Sequence, residues 1–283
     1  TVPKGLSFKG SKIVLDLANG AAYQTTPLTL EHLGITIEVH SGEPNGTNIN
    51  EDCGSTHPEV LRDLVLKSGA NIGLAHDGDA DRVLLADETG VILDGDDILA
   101  IAAKSLFSRG DLRSKTVAAT IMSNFGLDAL LNEMGATLLR SKVGDRHVVE
   151  MMRKHDLNLG GEQSGHIIFR DFTTTGDGLV SALQILAIVA ETNRPLSELR
   201  KTLTKFPQEL RNIPIRKKLP FEQLPSLQAR LEAAEVALAG KGRVVLRYSG
   251  TEPKARLLLE GPDADVLRTL ADDIQAEIET ALA

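Results

Sequence analysis

The sequence is poor in cysteine and in positive charge, and it has no long apolar run. A single cysteine, Cys53, rules out an internal disulfide and fits a reducing compartment such as the cytoplasm. A net charge of −8 argues against nucleic acid as a partner, because phosphate backbones attract basic proteins. No stretch of about 18 apolar residues is available to cross a membrane. We therefore expect a cytoplasmic globular protein without membrane or nucleic-acid partners, in which local cations meet any anionic ligand.

The sequence also lacks an initiator Met and the apolar segment of a signal peptide at its start, Thr1-Val2-Pro3-Lys4. With 283 residues the chain exceeds one comfortable hydrophobic core, so we expect two or three domains. We also expect these residues to be the middle of a longer protein, with part of its chemistry elsewhere.

Strand-like apolar runs alternate with amphipathic helical stretches through the first two thirds of the chain, as in parallel-sheet α/β layers. We predict two consecutive α/β/α layered domains, over residues 1–93 and 94–205, which look alike in layout without a residue-level repeat. Prolines spaced through a more polar stretch indicate a domain edge near residue 206. A small α+β domain is predicted over residues 206–283.

The most informative stretch is Asp77-Gly78-Asp79-Ala80-Asp81-Arg82, which follows an apolar run that is predicted to be a strand. Three carboxylates on one short loop repel one another unless a cation neutralises them. Carboxylate oxygens without a nearby cysteine favour Mg²⁺ or Ca²⁺ over Zn²⁺. A Mg²⁺ held by few protein oxygens keeps positions free for a phosphate. The loop thus predicts phosphate chemistry at the carboxyl end of a strand, where open α/β sheets bind ligands.

Two other interpretations of this acidic loop were weighed. A solvated Asp-Gly turn needs no metal, and the loop alone leaves that open. An EF-hand is suggested by Glu88, the twelfth residue counted from Asp77. It is excluded because the sixth position, where the calcium loop needs glycine, is Arg82.

A second polar loop, Gly160-Gly161-Glu162-Gln163-Ser164-Gly165-His166, lies between two apolar runs. Its carboxylate, amide, hydroxyl and imidazole can bracket the hydroxyls of a sugar, and its glycines let the backbone approach a ligand closely. Glu162 beside Gln163 adds an acceptor for a substrate ammonium. A tight turn with solvated polar groups is the alternative.

A third loop, running from Arg247 through Ser249-Gly250-Thr251 to Arg256, combines hydroxyls, a glycine amide and cations at both ends. These groups bind phosphate, although the loop is no Walker motif and a strand is predicted to follow it. A surface hairpin with cationic flanks is the alternative. The weaker cluster Lys142-Val143-Gly144-Asp145-Arg146-His147 is explained equally well by a helix start capped by Asp145.

Together the three loops resemble the α-D-phosphohexomutase superfamily. Its second, third and fourth domains carry an Asp-Gly-Asp-x-Asp-Arg metal loop, a Gly-Glu-x-Ser-Gly sugar loop and an Arg-x-Ser-Gly-Thr-Glu-Pro phosphate loop. The order and spacing of these motifs match over essentially the whole chain. Residues 53–58, 161–166 and 173–177 resemble the bacterial members that act on glucosamine phosphate.

The resemblance implies an intramolecular phosphotransferase that interconverts glucosamine 6-phosphate and glucosamine 1-phosphate, for UDP-N-acetylglucosamine and cell-wall precursor synthesis. It implies a phosphoserine, Mg²⁺ and a sugar 1,6-bisphosphate activator. The family's first domain, which bears that serine, has no counterpart in these residues. We therefore expect the chain to be inactive by itself and to need that N-terminal domain as its partner; a homodimer is one possible assembly. A phosphomannomutase or phosphoglucomutase, and a non-catalytic sugar-phosphate-binding protein, are the alternatives.

The resemblance also implies a role for individual residues. Asp77, Asp79 and Asp81 bind Mg²⁺. Arg82 lies beside the phosphoryl group in transfer, and Glu162 and Ser164 hold sugar hydroxyls. The other predicted substrate-binding residues, in the phosphate loop and the 142–147 cluster, are Arg247, Ser249, Gly250, Thr251, Arg256, Lys142, Arg146 and His147.

Overall fold

The computed structural model describes residues 1–250 and 252–282, which form two compact units. Unit 1 comprises Thr1–Ser123 and Leu127–Thr204. Unit 2 comprises Lys205–Ala283 and the short segment Asn124–Gly126. Within the described residues the chain forms twelve strands and nine α-helices. In those same ranges no helix combines the length and apolarity needed to cross a membrane.

The first sheet of unit 1 is built from alternating strands and helices and ends in a hairpin. Its elements, with the helix that follows, are β1 (Lys12–Asp16), α1 (Thr25–His32), β2 (Thr36–His40), α2 (Pro58–Ser68), β3 (Ile72–His76), β4 (Val83–Asp87), β5 (Ile92–Leu93) and α3 (Gly95–Arg109). The strand order is β2-β1-β3-β4-β5, with β1 parallel to β2 and β3. β3 and β4 are antiparallel, and all their residues are buried, which explains why they read as unbroken apolar runs.

The second sheet of unit 1 repeats these connections. Its elements are β6 (Thr116–Thr120), α4 (Phe125–Glu133), β7 (Thr137–Ser141), α5 (Asp145–Lys154), β8 (Leu159–Gly161), β9 (Ile167–Phe169), α6 (Gly178–Thr192) and α7 (Leu196–Leu199). The order is β7-β6-β8-β9, with β6 parallel to β7 and β8, and β8 antiparallel to β9. The predicted likeness in layout is thus a likeness of topology: β3-β4 and β8-β9 are equivalent hairpins.

Two long helices join the sheets of unit 1. An aspartate caps each of them: Asp94 accepts the backbone N–H groups of Asp96 and Asp97, and Asp177 accepts that of Val180. One hydrophobic cluster includes Leu15, Leu74, Ile98, Val117, Leu159 and Leu183, and so runs through both sheets and both helices. Fully burying such side chains contributes about 1.5–3 kcal/mol each. The predicted domain boundary after residue 93 divides residues that share this core. The bounds of the three predicted domains stay a prediction.

Unit 2 has one antiparallel sheet covered by two helices. Its elements are β10 (Gln208–Pro214), α8 (Pro225–Leu238), β11 (Arg243–Tyr248), β12 (Lys254–Glu260) and α9 (Ala264–Leu282). The strand order is β10-β12-β11. Helix α9 buries Leu267, Ile274 and Ile278, which recur at helical spacing, against this sheet. The unit has the predicted α+β character.

Candidate functional site

The loop between β3 and β4 brings the three predicted metal ligands together. Asp77, Asp79 and Asp81 each place a carboxylate oxygen within 4.8 Å of the others, and Asp77 is buried while Asp79 is exposed. Burial, followed by the neighbouring carboxylates of Asp81 and Asp79, raises the pKa of Asp77 to about 7. The cluster lies at the carboxyl end of β3, which is parallel to β1.

This donor set fits a hard divalent cation. Oδ1 of Asp81 is buried and has no hydrogen-bond partner in the described part of the chain. Nε of Arg82 lies 3.7 Å from Oδ2 of Asp77 and 3.7 Å from Oδ1 of Asp81, beyond hydrogen-bond distance. Arg82 therefore reduces the repulsion between these carboxylates without using their oxygens, and an oxygen-only set of this kind suits Mg²⁺.

The backbone of the metal loop is held from the side of β1. The Ala21 N–H donates to the Gly78 carbonyl at 2.8 Å. A Cβ added at Gly20 would lie 2.3 Å from the same oxygen, so the two backbones approach as closely as glycine allows. Inside the loop the Arg82 N–H donates to Oδ1 of Asp77 at 3.1 Å, and Ala80 has a left-handed φ of 64°.

The loop between β8 and β9 carries the predicted sugar-binding residues. Oε1 of Glu162 accepts the Gly144 N–H at 3.0 Å, which brings the 142–147 loop to this hairpin. Ser164 is exposed. Gln163 contacts the start of α3 instead: its Nε2 donates to Oδ2 of Asp94 at 3.4 Å, and its carbonyl accepts the Gly95 N–H at 2.9 Å.

His166 joins the β8-β9 hairpin, which we call the sugar hairpin, to the metal loop, which is residues 77–82. Its imidazole is 2% exposed, and Nε2 accepts the Gly176 N–H at 3.1 Å. The ring hydrogen therefore lies on Nδ1, which donates to Oδ2 of Asp81 at 3.0 Å. The sequence analysis grouped this imidazole with side chains that bracket a sugar, whereas both ring nitrogens bind protein atoms.

Each hairpin also contacts the helix that follows the other hairpin. The Gly178 N–H, at the start of α6, donates to the Ala80 carbonyl at 3.0 Å, and a Cβ at Gly178 would lie 2.4 Å from the Arg82 carbonyl oxygen. A Cβ at Gly95, at the start of α3, would lie 2.0 Å from the Glu162 carbonyl oxygen. The sequence analysis missed both glycines, although each follows a helix-capping aspartate in an Asp-Gly pair.

The 142–147 loop contacts Glu162 through the backbone of Gly144. Lys142 and Arg146 are exposed and His147 is half-buried. Helix α5 begins at Asp145, and the residue before it, Gly144, makes no side-chain cap. Asp145 is therefore the first residue of the helix and not its cap, so the alternative of a capping Asp145 is wrong. Its carboxylate in the first turn still stabilises the helix by interacting with the helix dipole.

In unit 2, the predicted phosphate loop connects β11 and β12. Arg247 and Arg256 are directly paired across these strands, an arrangement of like charges that destabilises a sheet without an anion. Burial and the nearby Arg256 charge lower the pKa of Arg247, which has no hydrogen-bond or ion-pair partner among the described residues. Glu252 pairs with Arg256 at 3.1 Å and with Lys254 at 2.7 Å.

Ser249 shapes this loop from within. It is 2% exposed, its N–H donates to the Lys254 carbonyl at 2.9 Å, and its Oγ accepts the Glu252 N–H at 3.3 Å. Its carbonyl accepts Nζ of Lys218 at 2.9 Å. Gly250 is exposed, and the predicted ligand Thr251 lies outside the described residues.

Three family models match the chain in succession. They are the phosphoglucomutase/phosphomannomutase alpha/beta/alpha domain II at residues 4–90, alpha/beta/alpha domain III at residues 94–206 and C-terminal domain at residues 191–277. These matches confirm the predicted fold class. The chain is 50% identical over 280 residues to a phosphoglucosamine mutase of Desulfovibrio desulfuricans, with 99% of the chain and 62% of that protein covered. A phosphoglucosamine mutase of Geobacter sp. is 49% identical over 282 residues, with 100% of the chain and 62% of that protein covered.

Solved structures share the fold at lower identity. A phosphoglucomutase/phosphomannomutase family protein from Burkholderia thailandensis has a TM-score of 0.81 at 23% identity, with 98% of the chain and 62% of that protein covered. N-acetylphosphoglucosamine mutase from Aspergillus fumigatus has a TM-score of 0.76 at 21% identity, with 97% and 67% covered. The chain thus spans about three fifths of the length of the curated relatives that it matches.

Proposed function

The chain belongs to the phosphoglucomutase/phosphomannomutase family, of which it carries domains II, III and IV, and on that premise we propose that it is the metal-, sugar- and phosphate-binding part of a phosphoglucosamine mutase. The observation that carries the proposal is the clustered Asp77, Asp79 and Asp81 carboxylates, joined through His166 to the hairpin that bears Glu162. Curated relatives named phosphoglucosamine mutase, 47–50% identical, support this substrate class.

In this proposal Asp77, Asp79 and Asp81 hold Mg²⁺. The ion supplies positive charge to a phosphoryl group in transfer, where catalysis depends on positioning and charge stabilisation. Arg82 adds a fixed cation beside the same group. One Aspergillus fumigatus N-acetylphosphoglucosamine mutase was solved with GlcNAc-6P and magnesium, and another form with glucose 1,6-bisphosphate, which supports both the metal and a bisphosphate sugar as ligands.

The remaining predicted residues divide between the sugar and its other phosphate. Glu162 accepts hydrogen bonds from ring hydroxyls, and Ser164 donates to them and accepts from them. Lys142, Arg146 and His147, on the neighbouring loop, also bind the substrate. The phosphate that is not in transfer binds the paired guanidinium groups of unit 2. Hydrogen bonds to charged groups contribute about 1.5–3 kcal/mol each, so several together suffice to hold a sugar phosphate. The phosphate-binding residues are Arg247, Arg256, Ser249, Gly250 and Thr251.

The phosphoryl donor in this scheme is a serine of the family's first domain. The phosphoserine gives its phosphoryl group to the 1-hydroxyl of glucosamine 6-phosphate, and the resulting 1,6-bisphosphate returns its 6-phosphoryl group to the serine and leaves glucosamine 1-phosphate. We place the reaction in the cytoplasm, where the free thiol of Cys53 stays reduced. We propose that its product, glucosamine 1-phosphate, is used for UDP-N-acetylglucosamine synthesis.

Turnover assays test the proposal. Residues 1–283 alone should not convert glucosamine 6-phosphate, whereas the protein with its first domain should do so with Mg²⁺ and a trace of sugar 1,6-bisphosphate. Turnover by residues 1–283 would show that a serine within them is the nucleophile. Relative rates on glucosamine, mannose and glucose 6-phosphates identify the substrate, and binding without turnover in the longer protein would favour a non-catalytic sugar-phosphate-binding protein.

A further inference from the structure

A fully buried imidazole lies directly before the metal loop. His76, the last residue of β3, has 0% exposure. Its Nδ1 lies 3.2 Å from the Arg82 carbonyl oxygen, and its Nε2 lies 3.1 Å from Oγ1 of Thr26, which is also fully buried. A carbonyl can only accept, so Nδ1 carries the hydrogen and Nε2 accepts from the Thr26 hydroxyl. The Arg82 carbonyl therefore sets the tautomer of His76, and the Thr26 hydroxyl holds the ring in this orientation through Nε2.

The hydrogen bond from His76 is one of the contacts that hold the backbone of Arg82 in place. The backbone N–H of Arg82 donates to Oδ1 of Asp77, and its carbonyl accepts from His76. Beside that hydrogen bond, Gly178 packs so closely that an added Cβ would lie 2.4 Å from the oxygen and 2.6 Å from Nδ1 of His76. The backbone is thus held on both sides of the Arg82 Cα, which fixes where the side chain leaves the main chain; its Nε lies 3.7 Å from carboxylate oxygens of Asp77 and Asp81.

The fold itself does not require an imidazole here. In strand register His76 pairs with Val83, and the equivalent pair in the second sheet is Gly161 with Ile167. A hairpin of the same topology therefore forms with no side chain at this position. Burying a polar ring costs free energy that its hydrogen bonds must offset, and burial lowers the pKa of His76 to about 4, so the ring is neutral.

We propose that His76 and Thr26 are positioning residues of the metal site: the imidazole, oriented by Thr26, holds the Arg82 backbone so that the Asp77 carboxylate and the Arg82 side chain keep their metal-binding arrangement. Neither residue touches metal or substrate. The inference rests on the proposed metal site, and it links α1 to the metal loop through two side chains.

A set of matched substitutions tests this role by Mn²⁺ titration of the 283-residue chain, with free Mn²⁺ measured by EPR. Mn²⁺ shares the oxygen-ligand preference of Mg²⁺. His76→Phe keeps a ring but removes both hydrogen bonds, and His76→Asn restores a donor near the Nδ1 position. Thr26→Val removes the hydroxyl, and Thr26→Ser keeps it.

Because a single hydrogen bond contributes about 0.5–1.5 kcal/mol, His76→Phe should weaken Mn²⁺ binding about tenfold and Thr26→Val about threefold. His76→Asn and Thr26→Ser should stay within about twofold of the wild type. Thermal unfolding of each variant separates this effect from a general loss of stability. If His76→Phe does not fold, His76→Gln replaces it, because its longer side chain places the amide near Nε2 rather than Nδ1.

Unchanged Mn²⁺ affinity in His76→Phe or His76→Gln would overturn the positioning role. So would equal losses in His76→Phe and His76→Asn that follow their unfolding temperatures, since that pattern indicates a purely structural imidazole. Absence of Mn²⁺ binding by the wild-type chain is a different failure: it removes the proposed metal site itself and the inference with it.

Discussion

The metal hairpin (β3-β4) and the sugar hairpin (β8-β9) occupy the same position in two sheets of the same topology, yet they close differently. The metal hairpin ends β3 with the buried side chain of His76 and holds its loop by that imidazole. The sugar hairpin ends β8 with Gly161, where a Cβ would lie 2.7 Å from the His166 carbonyl oxygen, so the two backbones approach each other closely there. Hairpins of the same topology thus differ in the residue that ends the first strand and in the side chains of the loop.

The two hairpins also depend on each other. Gly178 belongs to the helix that follows the sugar hairpin but contacts the metal loop, and Gly95 belongs to the helix that follows the metal hairpin but contacts the sugar loop. His166 makes another contact between the two repeats, because it belongs to the sugar hairpin and donates to Asp81 of the metal loop. The comparison teaches that each loop is held by residues of its own repeat and also by residues of the other repeat.

The largest effect should come from exchanging the two glycines for alanine. Gly95→Ala places a Cβ 2.0 Å from the Glu162 carbonyl, so kcat/KM for sugar phosphate in the longer protein should fall about 100-fold, as expected for a misplacement near 1 Å, while Mn²⁺ binding is kept. Gly178→Ala should weaken Mn²⁺ binding instead. Gly110→Ala adds a Cβ at a left-handed φ of 77° with no atom near it, so it strains the backbone away from both loops and controls for a general loss of stability. If each substitution instead impaired only the hairpin that precedes its own helix, the prediction of crossed contacts would be wrong.

Asp79→Asn should weaken Mg²⁺ or Mn²⁺ binding about 30-fold, because an exposed carboxylate that interacts with a cation contributes about 1.5–3 kcal/mol. The sugar hairpin should not respond, since its hydrogen bonds to the metal hairpin run through Asp81 and Val83. Asp63→Asn, an exposed carboxylate on α2, is the matched control. Calorimetric titration measures the change, and an unaltered affinity would contradict the metal assignment.

Metal binding should depend on pH near neutrality. The pKa of Asp77 is raised to about 7, so below pH 7 a proton occupies the carboxylate and a metal ion must displace it. We expect the affinity to fall about fivefold from pH 7 to pH 6 and to level off above pH 8. Calorimetry in buffers of different ionisation enthalpy measures the released proton. A flat profile over this range would mean that Asp77 is not a ligand.

The smallest expected effect concerns Gln163. The sequence places it beside Glu162, the predicted acceptor for a substrate ammonium, and in the structure its Nε2 donates to Oδ2 of Asp94 at 3.4 Å, a long hydrogen bond. Gln163→Leu in the longer protein should change the preference for glucosamine over glucose phosphate by about threefold or less, in line with the loss of one weak hydrogen bond. Competition between the two sugar phosphates measures this ratio. A much larger change would mean that the amide oxygen of Gln163 itself accepts the substrate ammonium.

Local patterns predicted much of the fold, because β3, β4 and β6 are short apolar runs bounded by turn residues. The acidic cluster was equally visible, since its carboxylates are neighbours in sequence. Contacts between distant residues left no such local pattern. Thr26 and His76 are 50 residues apart, and Asp81 and His166 are 85 apart. The burial of Ser249 was also missed, because hydroxyls in a glycine loop usually face solvent.

The contact of Gly178 with the metal loop has a consequence for how the protein is made. The ribosome releases the whole first sheet before α6 exists, so the loop with its three carboxylates is synthesised long before the backbone that packs against Arg82. At about 5–20 residues per second, the delay between Leu93 and Gly178 is on the order of ten seconds. During that interval the nascent acidic loop lacks its contact with Gly178, so we expect it to reach its final form only after α6 has been synthesised.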